Sequence, residues 1–243
     1  MKEEDGVPGS LEPRTQDYVA LAAKAALGAV PFAGSLLAEI AGTVIPNQRI
    51  DRIVKFAHQL ETRLSSIEHQ FVRNQLSNEN FTDLMEEGLR QAARSLSDER
   101  REYIASLISR SLTSADISYL ESKHLLRVLG ELNDIEIILL ASHRYETVGS
   151  GQEYWEKHKA VLEPVVATIG APQEVCDKAT LQTSYDEHLT QLGLLRVRYS
   201  VDQRTKLPEY DSWTGAQKVQ GHELSPLGGL LLRQIGISAD DAG

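Results

Sequence analysis

The chain has 243 residues, 41% of them hydrophobic and 25% charged, with 35 acidic against 25 basic side chains and a net charge of −10. That composition is globular rather than disordered, and its acidity argues against bulk electrostatic capture of nucleic acid or anionic lipid, both of which need clustered Lys and Arg. The single cysteine, Cys176, excludes an internal disulfide framework and suits a reducing, cytoplasmic setting.

Residues 1–14 are polar and carry Gly6, Pro8, Gly9 and Pro13, the composition of a loose tail. Their acidic character argues against a secretory signal. The next stretch, Tyr18 to Ile45, is almost wholly apolar, with Lys24 and Glu39 as its only charges and Pro31 dividing it. Small residues recur at every fourth position, first Ala25, Ala29 and Ala33, then Gly34, Ala38 and Gly42. That spacing lets helix backbones approach closely, in lipid or in a packed core. Proline removes a backbone donor, so two short helices, 18–30 and 32–44, are expected. A permanent membrane span is disfavoured, because a lysine at a helix centre costs about 2.5–3.5 kcal/mol on insertion scales. Two readings remain: an alanine-rich hairpin within a soluble bundle, and a hairpin stored in the fold and delivered to a membrane on activation.

A new helix is expected after Pro46, with Ile50, Ile53, Val54, Ala57, Leu60, Leu64 and Ile67 forming one apolar stripe. A second runs from about Asn80 to Ser95. Ser97 is a good N-cap for a third, with Asp98 and Glu99 in its first turn. A fourth spans about Ala115 to Leu129. These predict a helical bundle over residues 15–130.

From residue 131 the pattern changes. A helix is expected over Leu132–Ser142, a loop over 144–152, and helices over about 152–168 and 173–192. The run Arg196-Val197-Arg198-Tyr199-Ser200-Val201 alternates as a strand does, which would turn Val197, Tyr199 and Val201 to the core and Arg196 and Arg198 outward. A polar loop, 202–216, precedes a second strand near Lys218–Leu224. Ser225-Pro226 then opens a last helix over Leu227–Ile235.

A helix ending in Leu192-Gly193-Leu194-Leu195, then strand, loop, strand and Ser225-Pro226-Leu227-Gly228, resembles the wing of winged-helix domains, over residues 132–236. With the helical bundle and its apolar hairpin read over residues 15–130, a mainly α protein is expected, and the resemblance implies that its second part, 131–243, is a winged-helix-like α+β domain. Arg196, Arg198 and Tyr199 would lie on the wing. Helix 173–192 stands where the family's recognition helix stands, yet carries Glu174, Asp177, Asp186 and Glu187 against Lys178 alone. Protein contact is therefore the expected use, and a DNA-binding transcriptional regulator the alternative. The arrangement also resembles bacterial proteins of the abortive-infection type, which implies a defence-related effector.

Motifs for catalysis do not emerge. The seven histidines include no HExxH, and one cysteine permits no CxxC. Glu121 and His124 form one E-x-x-H, where a di-metal bundle needs two. No G-x-S-x-G elbow and no phosphate-binding GxxxxGK[ST] loop occurs. Asp134 and Glu136 suit a helix start. Arg94, Arg100, Arg101 and Arg110 form the one basic grouping of note. The expectation is a non-enzymatic interaction or sensor protein without metal or cofactor. Its expected partners are a protein or a second copy of the chain, with a membrane as conditional partner and no nucleic acid.

Overall fold

The computed structural model describes Leu27, Val30 and residues 32–41, 49–114, 117–148 and 151–237. Among these the chain is mainly helical, with eleven helices and one two-stranded antiparallel sheet. It divides into two compact units, residues 1–120 and 121–243.

Unit 1 contains α1 (Ala33–Ala41), α2 (Ile50–Leu64), α3 (His69–Gln75), α4 (Glu79–Arg94) and α5 (Asp98–Thr113). The stripe read on α2 buries Ile53, Ala57, Leu60 and Leu64, together with Phe56. Helix α5 lies at the centre and packs on both α2 and α4. It is buried on several sides, and Ser109 and Ser111 satisfy their hydroxyls by donating to carbonyls three residues earlier. Gly88 sets the closeness of α4 to α5, since a Cβ there would come within 2.5 Å of Ile108 Cδ1.

The caps follow from local chemistry. Asn78 accepts from the N–H groups of Asn80 and Phe81 at the start of α4, and Ser97 accepts from Arg100 N–H at the start of α5. The basic grouping is broken up. Arg101 is 2% exposed, and its guanidinium donates to the Ser95 carbonyl at 2.8 Å and to the Asp98 carboxylate. The Arg101 bond, aided by Lys55, holds Asp98's carboxyl below the usual range. Arg101 thus ties the α4–α5 corner and faces inward.

Three sequence expectations are corrected. The helix expected to run to Ile67 stops at Leu64, and α3 follows it unforeseen. Within α3 only Val72 is buried, too little for a 3.6-residue stripe to register. The loop expected over 144–152 is mostly helical: α7 (Asp134–Val148) runs into it and α8 (Gly151–Lys157) begins within it. The helix expected over 152–168 breaks at His158. Only α9 (Lys159–Leu162) continues it, and Glu163 is extended. Pro164 is the reason that the helix ends after Leu162, because the residue before a proline is pushed out of the α region.

Unit 2 takes in most of α6 (Tyr119–Glu131), which begins in unit 1. Helix α7 is its hub: α8, α9, α10 (Gln173–Gln191), α11 (Pro226–Gln234) and the second strand all pack on it. Strands β1 (Leu195–Tyr199) and β2 (Val219–Leu224) pair antiparallel, Leu195 opposite Leu224. Ser225 caps α11 by accepting from Gly228 N–H, and its own hydroxyl donates to the Gly193 carbonyl at 2.6 Å.

Candidate functional site

Two regions carry the residues singled out in the sequence. The first is the N-terminal apolar segment. Leu27, Val30, Phe32, Ala33, Leu36 and Leu37 are all buried. Gly34 is buried too, and a Cβ there would sit 1.8 Å from the Leu27 carbonyl oxygen, so glycine is what permits this backbone approach. Ala25, Ala29 and Gly42 lie outside the described residues, and of Ala38 only its place in α1 is described. No helix among the described residues is long and apolar enough to cross a membrane.

Two devices hold this segment. The Glu61 carboxylate, reaching from α2, accepts from the N–H groups of Phe32 at 3.1 Å and Ala33 at 2.5 Å. It caps α1 from another helix and places a carboxylate at its positive end. The Phe32 ring, in turn, stacks parallel on His69 at 4.0 Å between centroids, with the Arg73 guanidinium 5.6 Å from the ring. Both partners belong to α3. Sequence reading missed Glu61, His69 and Arg73 because each acts across a long sequence separation, where local spacing carries no signal.

The second region is the arm, residues 195–224. Arg196 and Arg198 are exposed, as the alternation predicts. Tyr199 and Val201 were expected in the core, but they are 44% and 48% exposed. The pairing is irregular between Arg198 and Tyr199, where Gln220 is the extra residue on β2 and bends that strand; nearly all of residues 201–220 are exposed, so Tyr199 and Val201 meet no core. Beyond it the chain forms a junction. Ser200 N–H donates to the Lys218 carbonyl, Lys218 N–H to that of Glu209, and Glu209 N–H to that of Ser200, all within 2.9 Å. From this ring of three bonds two small lobes project, closed by bridges Val201–Pro208 and Tyr210–Gln217.

The lobes are built alike, from Asp202-Gln203-Arg204-Thr205-Lys206 and Asp211-Ser212-Trp213-Thr214-Gly215. In each, one Asp oxygen accepts from two backbone N–H groups and the Thr hydroxyl. Such turns are locally specified, and this repeat was legible in the sequence. The bonds from Thr205, with Arg204 N–H, hold Asp202's carboxyl below the usual range. Those from Thr214 and Trp213, aided by Lys218, do the same for Asp211. The fifth residue is left-handed in both, with φ of 58° at Lys206 and 69° at Gly215. That conformation costs an L-residue about 1–2 kcal/mol, offset in part by glycine's larger unfolded-state entropy. Lys206→Gly is therefore expected to raise stability by about 0.5–1 kcal/mol, and Gly215→Lys to lower it. Thermal melts of the two variants check the opposite signs.

The lobes present Leu207, Tyr210 and Trp213 to solvent, Trp213 at 96% exposure. Titratable groups gather elsewhere in unit 2. His188 Nδ1 lies 2.6 Å from Glu136 Oε1, and Asp186 stands within electrostatic reach of His222 and His143. Burial raises the Asp186 carboxyl, and the two histidines oppose the rise. Among the described residues no three His, Cys, Asp or Glu side chains are placed to hold a metal ion. Comparison with protein-family models, curated proteins and solved structures gives no match for the chain.

Proposed function

We propose that the protein is a non-enzymatic interaction protein that stores an apolar N-terminal segment in unit 1 and yields it to a membrane on activation. The observation that supports this is the manner of holding. The start of α1 depends on one carboxylate from α2 and on a clamp from a seven-residue helix, α3. Charge-assisted bonds to backbone N–H groups are roughly twice as strong as neutral ones, so changing a single side chain shifts the balance between stored and released. A defence-related effector is the setting in which this storage makes sense.

Glu61→Gln keeps the shape of the cap and removes its charge. It is expected to cost about 1–2 kcal/mol of stability and to increase dye release from liposomes above the wild-type level, while the variant remains folded by circular dichroism. Deleting residues 1–45 should abolish the release. Equal leakage from all three proteins, or none from any, would sink the proposal.

A second reading belongs to unit 2, where the arm serves as a protein-contact surface. Its exposed Trp, Tyr and Arg side chains are the types that carry most binding energy at interfaces. The transcriptional-regulator alternative finds less support. Helix α10 exposes Glu174, Asp177 and Glu187, which repel the phosphates that a DNA reader must neutralise.

A further inference from the structure

Tyr199, Val201, Leu207, Tyr210, Trp213 and Val219, all on the arm, are six of the thirteen large apolar side chains exposed among the described residues. Single exposed apolar residues are ordinary, but a concentration of them marks a contact site. Residues 201–220 are nearly all exposed, so the arm has no core of its own to take them in. The run 207–210 is extended between its two bridges. Successive side chains of an extended run point to opposite faces, so Leu207 and Tyr210 leave the arm on opposite sides. Trp213, 96% exposed, sits in the turn of the second lobe, whose backbone Asp211 holds in place.

The charges of the arm are arranged unevenly. Asp202 and Asp211 turn inward to the N–H groups of their own lobes. Glu209 meets Lys218 at 3.7 Å, and Glu223 stands opposite Arg196 in the strand pair. Arg198, Arg204 and Lys206 are left without an acidic partner among the described residues. Arg204 holds in the first lobe the turn position that Trp213 holds in the second. The chain as a whole, at −10, is repelled by an anionic surface, so such a contact needs cations that are locally unopposed. A protein partner covers one face of a thin arm, and a single nucleic-acid strand needs a groove to follow. The headgroup layer of a bilayer surrounds an inserted element on every side. It accepts Trp and Tyr at that depth, and it attracts Lys and Arg where the lipid is anionic.

We infer that the end of the arm, residues 201–218, inserts into the headgroup layer of an anionic bilayer, with Leu207, Tyr210 and Trp213 among the headgroups and Arg204 and Lys206 against their phosphates. Both turns are already held by their own Asp and Thr, so insertion orders little further backbone. The arm then lies in the interface and does not span the bilayer. This goes beyond the storage of the N-terminal segment and does not depend on it. It gives the arm a lipid partner where the second reading above gives it a protein.

Trp155 and Trp213 are the chain's two tryptophans, so Trp155→Phe in the full chain makes fluorescence a report on the arm alone. With vesicles of phosphatidylcholine and phosphatidylserine, Trp213 emission should shift to the blue and be quenched by brominated acyl chains. Co-sedimentation gives the affinities. Trp213→Ala should bind these vesicles about tenfold more weakly or worse. The double change Arg204→Gln, Lys206→Gln should weaken binding about 30-fold at low salt, and much less with phosphatidylcholine alone. All three positions are exposed, so the variants should fold, as circular dichroism will show. Three results would overturn the inference: an emission that vesicles leave unchanged, variants that sediment with vesicles as the wild type does, or a shift produced by a single-stranded oligonucleotide and not by vesicles. A chain that binds lipid only through its N-terminal segment gives the first of these, so the arm can fail while dye release still decides the stored segment.

Discussion

Gly34→Ala should destabilise unit 1 by about 3 kcal/mol or more, at or above the top of the roughly 1–3 kcal/mol range for overpacking. The usual expectation has the opposite sign, because replacing glycine by alanine inside a helix gains up to about 1 kcal/mol of propensity. The reversal comes from what the new methyl would meet. It would lie 1.8 Å from the Leu27 carbonyl oxygen and 2.8 Å from its carbon, and these are backbone atoms that cannot swing aside as a side chain can. Gly229→Ala in α11 is the matched control, since its nearest contacts would be 3.7 and 3.8 Å, ordinary packing distances. Urea midpoints of the two variants should move in opposite directions or differ by most of the predicted amount. A Gly34→Ala protein as stable as the wild type would mean that the approach of Leu27 to α1 is not part of the fold.

In unit 2 the largest polar effect is expected at Glu136. Its side chain is 4% exposed, its Oε2 accepts from Asn133 N–H at 2.8 Å, and Asn133 Oδ1 accepts from Glu136 N–H at 2.9 Å. This is a reciprocal cap on α7, the hub of the unit. The second oxygen meets His188 Nδ1 at 2.6 Å and so ties α7 to α10. Glu136→Ala loses a cap of about 1 kcal/mol and a hydrogen bond to a charged group of about 1.5–3 kcal/mol, so about 3 kcal/mol is expected in all. Glu136→Gln retains the cap and should lose about half as much. Denaturant melts followed by Trp155 fluorescence report on this unit; an alanine variant within about 0.5 kcal/mol of wild type, the range of ordinary surface changes, would show that neither bond holds weight.

How far the sequence could be read depended on the range of the interaction responsible for each element. The Ser97 and Ser225 caps, the stripe on α2 and the acidic start of α7 were legible, because each involves partners within a few residues of one another. The break after Leu162 was legible in principle from Pro164, and the twin turns of the arm from their repeated Asp-x-x-Thr pattern. Helix α3 was not, since one buried valine in seven residues leaves no periodic trace.

By itself the sequence determined a mainly helical chain with an apolar, small-residue N-terminal segment and a short strand pair near its end. Local propensity and 3.6- or two-residue periodicity are properties of neighbours along the chain. Only the tertiary structure decided which groups hold that segment: Glu61 of α2 reaches Ala33 across 28 residues, and His69 reaches Phe32 from α3, farther still along the chain. It also decided that Tyr199 and Val201 face solvent, because beyond Arg198 the chain turns back on itself through a ring of three backbone bonds, in an arm whose residues 201–220 are nearly all exposed and offer no core. And it took Arg101 out of the basic grouping and made it a buried tie, since a guanidinium leaves water at tolerable cost where a carbonyl and a carboxylate are placed to receive it.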